Sequence, residues 1–225
     1  MTTQTKIITV RRDLAAESKA DAAVVRERLA RRGTLVVNVL SSPGAGKTSL
    51  LEATARSLAG RHTMAVLVGD LETDRDAQRL SPLVPTAQLT TGGACHLELP
   101  LVCRGLDALG DPHVDFLFIE NVGNLVCPAS HDLAEHLRVV LISTTEGDDK
   151  PGKYPKMFRT SQAMVVTKVD LLPYVPFSLE AVAEDARRLQ PELEVVEVSA
   201  LDGTGITAWC AYLRRERVRR LGEYL

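Results

Sequence analysis

No apolar run in the 225-residue chain reaches the roughly 18 residues that a membrane-crossing helix needs. The start, Met1-Thr-Thr-Gln-Thr-Lys-Ile-Ile8, lacks the apolar core of a secretion signal, so a cytoplasmic location is expected. Cysteine is scarce: Cys95, Cys103, Cys127 and Cys210 are too few and too scattered for a disulfide framework in a chain of this length. Reduced thiols are expected, and any that matter should matter as ligands. No cysteine or histidine precedes His62, so the first residues hold no metal-binding tract. An excess of one charge is missing too, the formal net charge being −2, which argues against nucleic-acid and membrane partners. Repeats and linkers are also lacking. The length suits one α/β domain over residues 34–225, preceded by an N-terminal helical extension over 1–33 that packs on it.

What is present is organised around Val36-Val-Asn-Val-Leu-Ser-Ser-Pro-Gly-Ala-Gly-Lys-Thr48. An apolar strand breaks into a small-residue turn, and Lys47-Thr48 opens a segment of helical periodicity. Small residues matter because backbone N–H groups wrap a polyphosphate only where no side chain intervenes, and a helix N-terminus behind them favours negative charge. Gly44, Ala45, Gly46, Lys47, Thr48 and Ser49 are therefore the candidate phosphate-binding residues, with Lys47 on the β- and γ-phosphates and the Thr48 hydroxyl on Mg²⁺. The strict phosphate-loop pattern would place its first glycine where this chain has Ser41.

Two further apolar runs end in carboxylates. Thr63-Met-Ala-Val-Leu-Val68 leads to Gly69-Asp70, and Asp115-Phe-Leu-Phe-Ile119 leads to Glu120-Asn121. Strand ends are where carboxylates approach a nucleotide in an open α/β sheet, so Asp70 and Glu120 are candidates for holding Mg²⁺. Asp76, in the polar segment after Asp70, is a candidate for orienting the attacking water. Gly123 is placed to offer its N–H to a γ-phosphate, with a plain turn as the alternative. Slow hydrolysis is expected, because the sequence places no obvious glutamine or arginine finger.

Later in the chain, Thr167-Lys168-Val-Asp170 ends another apolar run. A carboxylate at Asp170 accepts two hydrogen bonds from guanine, and the Lys168 stem can lie over the base. The common version of this motif begins with Asn, a place taken here by Thr167. Ser199-Ala200 follows the last predicted strand, Glu194–Val198, where its backbone N–H can reach guanine O6. Between these motifs, Cys95-His96 stands after Gly92-Gly93 and before a helix predicted over Leu97–Leu109. Thiolate beside imidazole suits Zn²⁺ or Ni²⁺, yet such a dipeptide also occurs by chance, and the pair alone decides nothing. Residues 144–156, with two glycines, two prolines and three lysines, read as a mobile loop, either solvated or in contact with a partner. Helices are predicted over 11–32, 177–189 and 205–221. The C-terminal arginines of the last suit its dipole better than a nucleic-acid patch.

In order, Ser41-Ser-Pro-Gly-Ala-Gly-Lys-Thr48, Gly69-Asp70, Cys95-His96, Glu120-Asn-Val-Gly-Asn-Leu-Val-Cys-Pro128, Thr167-Lys-x-Asp170 and Ser199-Ala-Leu201 resemble the HypB family. These are hydrogenase maturation GTPases of the SIMIBI class of P-loop NTPases, which act in nickel insertion. The resemblance covers about residues 34 to 205. It implies a mostly parallel β-sheet flanked by helices and a homodimer that binds GTP or GDP with Mg²⁺. It also implies a Ni²⁺ or Zn²⁺ site at the dimer interface on Cys95, His96 and Cys127, and a Lys153 that contacts nucleotide across the dimer. The partners it implies are a nickel-carrying accessory protein and the hydrogenase large subunit. The urease accessory GTPases share the phosphate loop and nickel delivery, but they carry Cys-Pro-His, whereas Cys95 and His96 are adjacent. A nucleotide-dependent adaptor with buried cysteines is the alternative outside the enzyme class.

Overall fold

Five apolar runs and two half-polar ones, the latter at the edges, become the seven strands of one sheet among the described residues. The computed structural model describes residues 18–70 and 74–225. The strands are β1 (Leu35–Ser41), β2 (Met64–Asp70), β3 (Thr86–Thr90), β4 (Phe116–Glu120), β5 (Leu137–Ser143), β6 (Ala163–Thr167) and β7 (Glu194–Glu197). Their order is β3-β2-β4-β1-β5-β6-β7 and every pairing is parallel. Parallel sheets must be covered on both faces, and β1 is buried along its whole length, as its continuous apolar sequence requires.

The period of two sorts the core. Val37 and Val39 face Leu50, Leu51 and Leu58 of helix α2 (Lys47–Leu58) and Trp209 and Leu213 of α8 (Ile206–Leu221). Val36 and Leu40 face the opposite side. There Val36 meets Leu29 of α1, a helix over described residues 18–30, together with Val102 and Leu106 of α4 (Leu99–Ala108). Leu40 meets Phe158 of α6 (Pro155–Thr160) and Val182 of α7 (Leu179–Leu189). Trp209 anchors the first face: its indole N–H donates to Thr54 Oγ1 (2.9 Å), whose hydroxyl donates to the Leu50 carbonyl (2.6 Å).

Several boundaries move from those predicted. Of the helix expected over 11–32, residues 11–17, with Leu14, lie outside the described residues; the remainder ends ahead of Gly33, at φ 70°. Helix α4 starts at Leu99 because Pro100 belongs in a first turn, where its missing N–H costs nothing. Helix α7 starts after Ser178, whose Oγ accepts from the Ala181 N–H (3.1 Å). The segment read as a mobile loop folds into two short helices, α5 (Lys150–Lys153) and α6, each with proline in its first turn, Pro151 and Pro155. Those prolines start helices rather than break them. Helix α3 (Arg75–Leu80) follows β2. Arg215, Arg217, Arg219 and Arg220 of α8 are paired with Glu194, Asp115 or Glu216 rather than aligned as a free basic surface. Among the described residues no helix is long and apolar enough to cross a membrane.

Candidate nucleotide and metal sites

Strand β1 is flanked by β4 on one side and β5 on the other, so the chain that leaves its carboxyl end opens into the crevice where ligands bind in such sheets. Residues 42–46 form that turn. Gly44 (φ 75°) and Gly46 (φ 89°) adopt the left-handed region that favours glycine, and Gly46 delivers the chain into α2. At the position where the strict motif has its first glycine, the Ser41 hydroxyl accepts from Lys47 Nζ (3.0 Å). The serine thereby gives the buried ammonium a partner. Thr167 does similar work from β6: its Oγ1 donates to the Ala45 carbonyl (2.6 Å). Lys168, itself at φ 58°, donates from Nζ to the Gly44 carbonyl (2.8 Å). A threonine hydroxyl thus ties the end of β6 to the phosphate loop where the common motif has asparagine.

Beside this turn lies a cavity of about 410 Å³ lined by Gly46, Ser49, Lys168, Asp170, Ala200 and Leu201 among others. The elements that the sequence marked for phosphate and for base therefore meet around one space. Ser199 is buried behind it, its N–H donating to the Thr204 carbonyl (2.9 Å).

On the other side of Lys47 stands Glu120, at the end of β4. Its Oε1 accepts from the Thr48 hydroxyl (2.8 Å), while Oε2 is buried with no hydrogen-bond partner among the described residues. Burial pushes the Glu120 carboxyl up to about 7, against the opposing pull of Lys47 and Thr48. Burial likewise lowers Lys47, against the charges of Glu120, Asp76, Glu146 and Asp70. Asp70 at the end of β2 and Asp76 in the first turn of α3 both act on this ammonium through their charge. Asp76 pairs with Arg79 (3.6 Å), which also holds Glu52 and the Ser49 hydroxyl on α2 (3.0 and 3.1 Å). Residues 71–73, between Asp70 and α3, lie outside the described residues.

Gly123 lies against the phosphate loop. A Cβ built on it would stand 2.9 Å from both N and Cα of Pro43, so only glycine allows this approach. The next residue, Asn124, accepts on Oδ1 from the N–H groups of Val126 (2.7 Å) and Cys127 (3.4 Å). Cys127 opens a short 3₁₀ turn to Ser130. Four residues therefore carry the chain from the phosphate loop to a thiol.

At the far end, Cys95 Sγ lies 3.7 Å from His96 Nδ1. A side-chain hydrogen bond with Cys127 holds the Cys95 thiol above its ordinary pKa. Cys95, His96 and Cys127 are thus brought together within one chain, although no group of three such side chains among the described residues is arranged to hold a metal ion. His131, which sequence reasoning missed, stacks on His96 with ring centroids 3.8 Å apart and planes 20° apart. Its only sequence signal was a histidine four residues beyond Cys127. Lys150 was missed as well: its Nζ donates to the Ser42 hydroxyl (3.3 Å). Lys153, expected at the nucleotide, is exposed and ion-paired with Asp149 in this chain.

Residues 35–197 match the family described as CobW/HypB/UreG, nucleotide-binding domain. The hydrogenase maturation factor HypB of Azotobacter vinelandii is 44% identical over 219 residues, spanning 97% of this chain and 72% of its own length. The chain belongs to the HypB family of P-loop GTPases. The hydrogenase/urease maturation factor HypB of Helicobacter hepaticus is 41% identical over 95% of this chain and 90% of its own. Among solved structures, HypB from Helicobacter pylori in complex with nickel aligns with a TM-score of 0.86 at 39% identity, over 90% of this chain and 96% of that one. The wholly parallel sheet flanked by helices is therefore a HypB fold of the SIMIBI class.

Proposed function

We propose that this HypB-family protein is a GTP-hydrolysing metallochaperone that delivers nickel during [NiFe]-hydrogenase maturation, with its nucleotide state coupled to metal affinity. The observation that carries this reading is the short path from Gly123, packed on Pro43, through Asn124 to Cys127 beside Cys95 and His96. In this reading the cargo, Ni²⁺ or Zn²⁺, binds Cys95, His96 and Cys127 at the interface of a homodimer. Two thiols and one imidazole per chain leave coordination positions open, which suits a metal that must be passed on. The partners are a nickel-carrying accessory protein and the hydrogenase large subunit, and the place of work is the cytoplasm.

In the hydrolytic step a water oxygen bonds to the γ-phosphorus, and the bond from that phosphorus to the β–γ bridging oxygen breaks. The electron pair goes to the leaving GDP, and a proton of the attacking water passes to the phosphate released. Lys47 neutralises the β- and γ-phosphates, the N–H groups of Gly44 to Thr48 cradle them, and the Gly123 N–H receives the γ-phosphate. Asp170 and Lys168 hold guanine, with the Ser199-Ala200 turn at its O6. Asp76 orients the water. The donor set fits Mg²⁺: Glu120 Oε2 is a buried oxygen without a partner among the described residues, and the Thr48 hydroxyl bonds the same carboxylate. Thr48, Asp70 and Glu120 would hold the ion, which when bound supplies charge neutralisation on the phosphate oxygens.

Coupling between the two sites is reciprocal, so nickel affinity must differ between nucleotide states if nickel is to alter nucleotide binding. Titration of Ni²⁺ into protein loaded with a non-hydrolysable GTP analogue and with GDP tests the proposal. Different dissociation constants are expected, and identical ones overturn the coupling. A Cys95→Ala, Cys127→Ala double variant should lose metal. Unchanged stoichiometry there would favour the nucleotide-dependent adaptor.

A further inference from the structure

The function just proposed uses His96 but not His131, which stacks on it. His96 sits on a loop that follows Gly92 and Gly93, both at positive φ, and its own segment offers the ring two long contacts, Nδ1 to Cys95 Sγ (3.7 Å) and Nε2 to Glu98 Oε1 (3.6 Å). The main chain at His131 is fixed by contrast. Arg138 of β5 donates from Nη2 to the His131 carbonyl and from Nη1 to the Ala129 carbonyl (3.3 Å). Arg138 is in turn paired with Glu135, which is buried. The 3₁₀ turn that carries Cys127 and leads into His131 is therefore pinned to the sheet.

Two parallel rings 3.8 Å apart cannot both aim a nitrogen lone pair at one ion, because an imidazole binds metal in its own plane at about 2.0 to 2.1 Å. The ring of His131 meets His96 by its face. An aromatic face carried on a turn pinned to the sheet restricts the imidazole stacked on it, and a ligand restricted before metal arrives loses less freedom when the metal binds.

We infer that His131 is a positioning residue of the nickel site, whose ring face holds the His96 imidazole in its ligating orientation without itself binding the metal. This rests on the assignment of Cys95, His96 and Cys127 as the metal ligands. It assigns to one turn two tasks, a thiol at its start and a brace at its end.

Competition of the full-length protein with a chromophoric chelator for Ni²⁺ tests it, alongside the thiolate-to-nickel absorption band. Three variants are compared: His131→Ala, His131→Phe and the Cys95→Ala, Cys127→Ala pair, with GDP affinity as the measure of intact folding. Loss of the stacked face in H131A should weaken nickel binding by about 3- to 10-fold, with the band retained, and H131F should stay within about two-fold of the parent. An H131F as weak as H131A would mean that the nitrogen matters, and an H131A with unaltered affinity would mean that the stack does nothing. Either result overturns the inference while leaving the ligand assignment intact. Should H131A not fold, His131→Leu, apolar but without an aromatic face, takes its place. If the double cysteine variant keeps its metal, the failure lies with the ligand assignment instead.

Discussion

At the scale of the residue, the phosphate site holds two groups that burial discourages from carrying charge. Lys47 is lowered and Glu120 is pushed up to about 7, each opposed by the other's charge. Nucleotide phosphates favour the charged Lys47, and a divalent cation beside Thr48 favours the charged Glu120. A cation must therefore displace a proton from Glu120 when the pH is below about 7. The Mg²⁺-dependent part of GDP affinity should weaken as pH falls through 7, and in Glu120→Gln that pH dependence should vanish. Nucleotide titrations with and without Mg²⁺ across this range decide it. Lys47→Ala should abolish turnover, and a variant hydrolysing GTP at the parental rate would show that the phosphate loop has been misassigned. Lys47, Thr48 and Asp170 were legible in the sequence because their motifs are contiguous. The brace from Thr167 to Ala45 was not, since 122 residues separate a hydroxyl from its acceptor. The sequence showed only that Asn was missing there.

At the scale of the element, the segment from Gly123 to Cys127 is fixed at one end by contact and at the other by Asn124. Gly123→Ala would drive a methyl into the Pro43 backbone, a clash that costs about 1–3 kcal/mol of stability where neighbours cannot move. The expected signature is a greater loss of affinity for a GTP analogue than for GDP, because the γ-phosphate end of the loop is displaced. Isothermal titration with both nucleotides measures it, and equal losses would remove Gly123 from γ-phosphate sensing. Helix α5 poses a similar question. Its Lys150 reaches the Ser42 hydroxyl while Lys153 pairs with Asp149. Lys150→Ala should lower GTP-analogue affinity by up to about ten-fold, the scale of one lost charge-assisted contact. This segment was read as a loop throughout because Pro and Gly are also loop formers, whereas part of it is helical. Only the packing of Met157 and Phe158 of α6 into the core shows that the prolines begin helices there.

At the scale of the whole molecule, the five central strands could be read from their own apolar runs, but the order β3-β2-β4-β1-β5-β6-β7 could not, because a crossover's side of the sheet is set by packing and not by any local run. The same distance hides how stability depends on pH. His136, just ahead of β5, accepts the Val36 N–H on Nδ1 (3.0 Å), and burial lowers it from 6.5 to about 4. Its folded pKa is depressed, so the unfolded chain binds more protons between those values and stability falls as pH drops from 6.5 towards 4. Glu120 is raised from 4.5 to about 7, so the folded chain binds more protons and stability rises as pH drops through that window. The two slopes have opposite signs and overlap between 4.5 and 6.5, where they largely offset one another. In nucleotide-free Glu120→Gln the Glu120 slope is gone while that of His136 remains, so its urea midpoint should fall from pH 6.5 to pH 4.5 more steeply than that of the parent. His136→Gln should show the opposite difference, growing more stable relative to the parent as the solution is acidified. Parallel urea denaturation curves at the two pH values would read both. If E120Q tracks the parent at each pH, the buried carboxylate is not strained in the empty site, and the case that it waits for a cation loses its energetic basis.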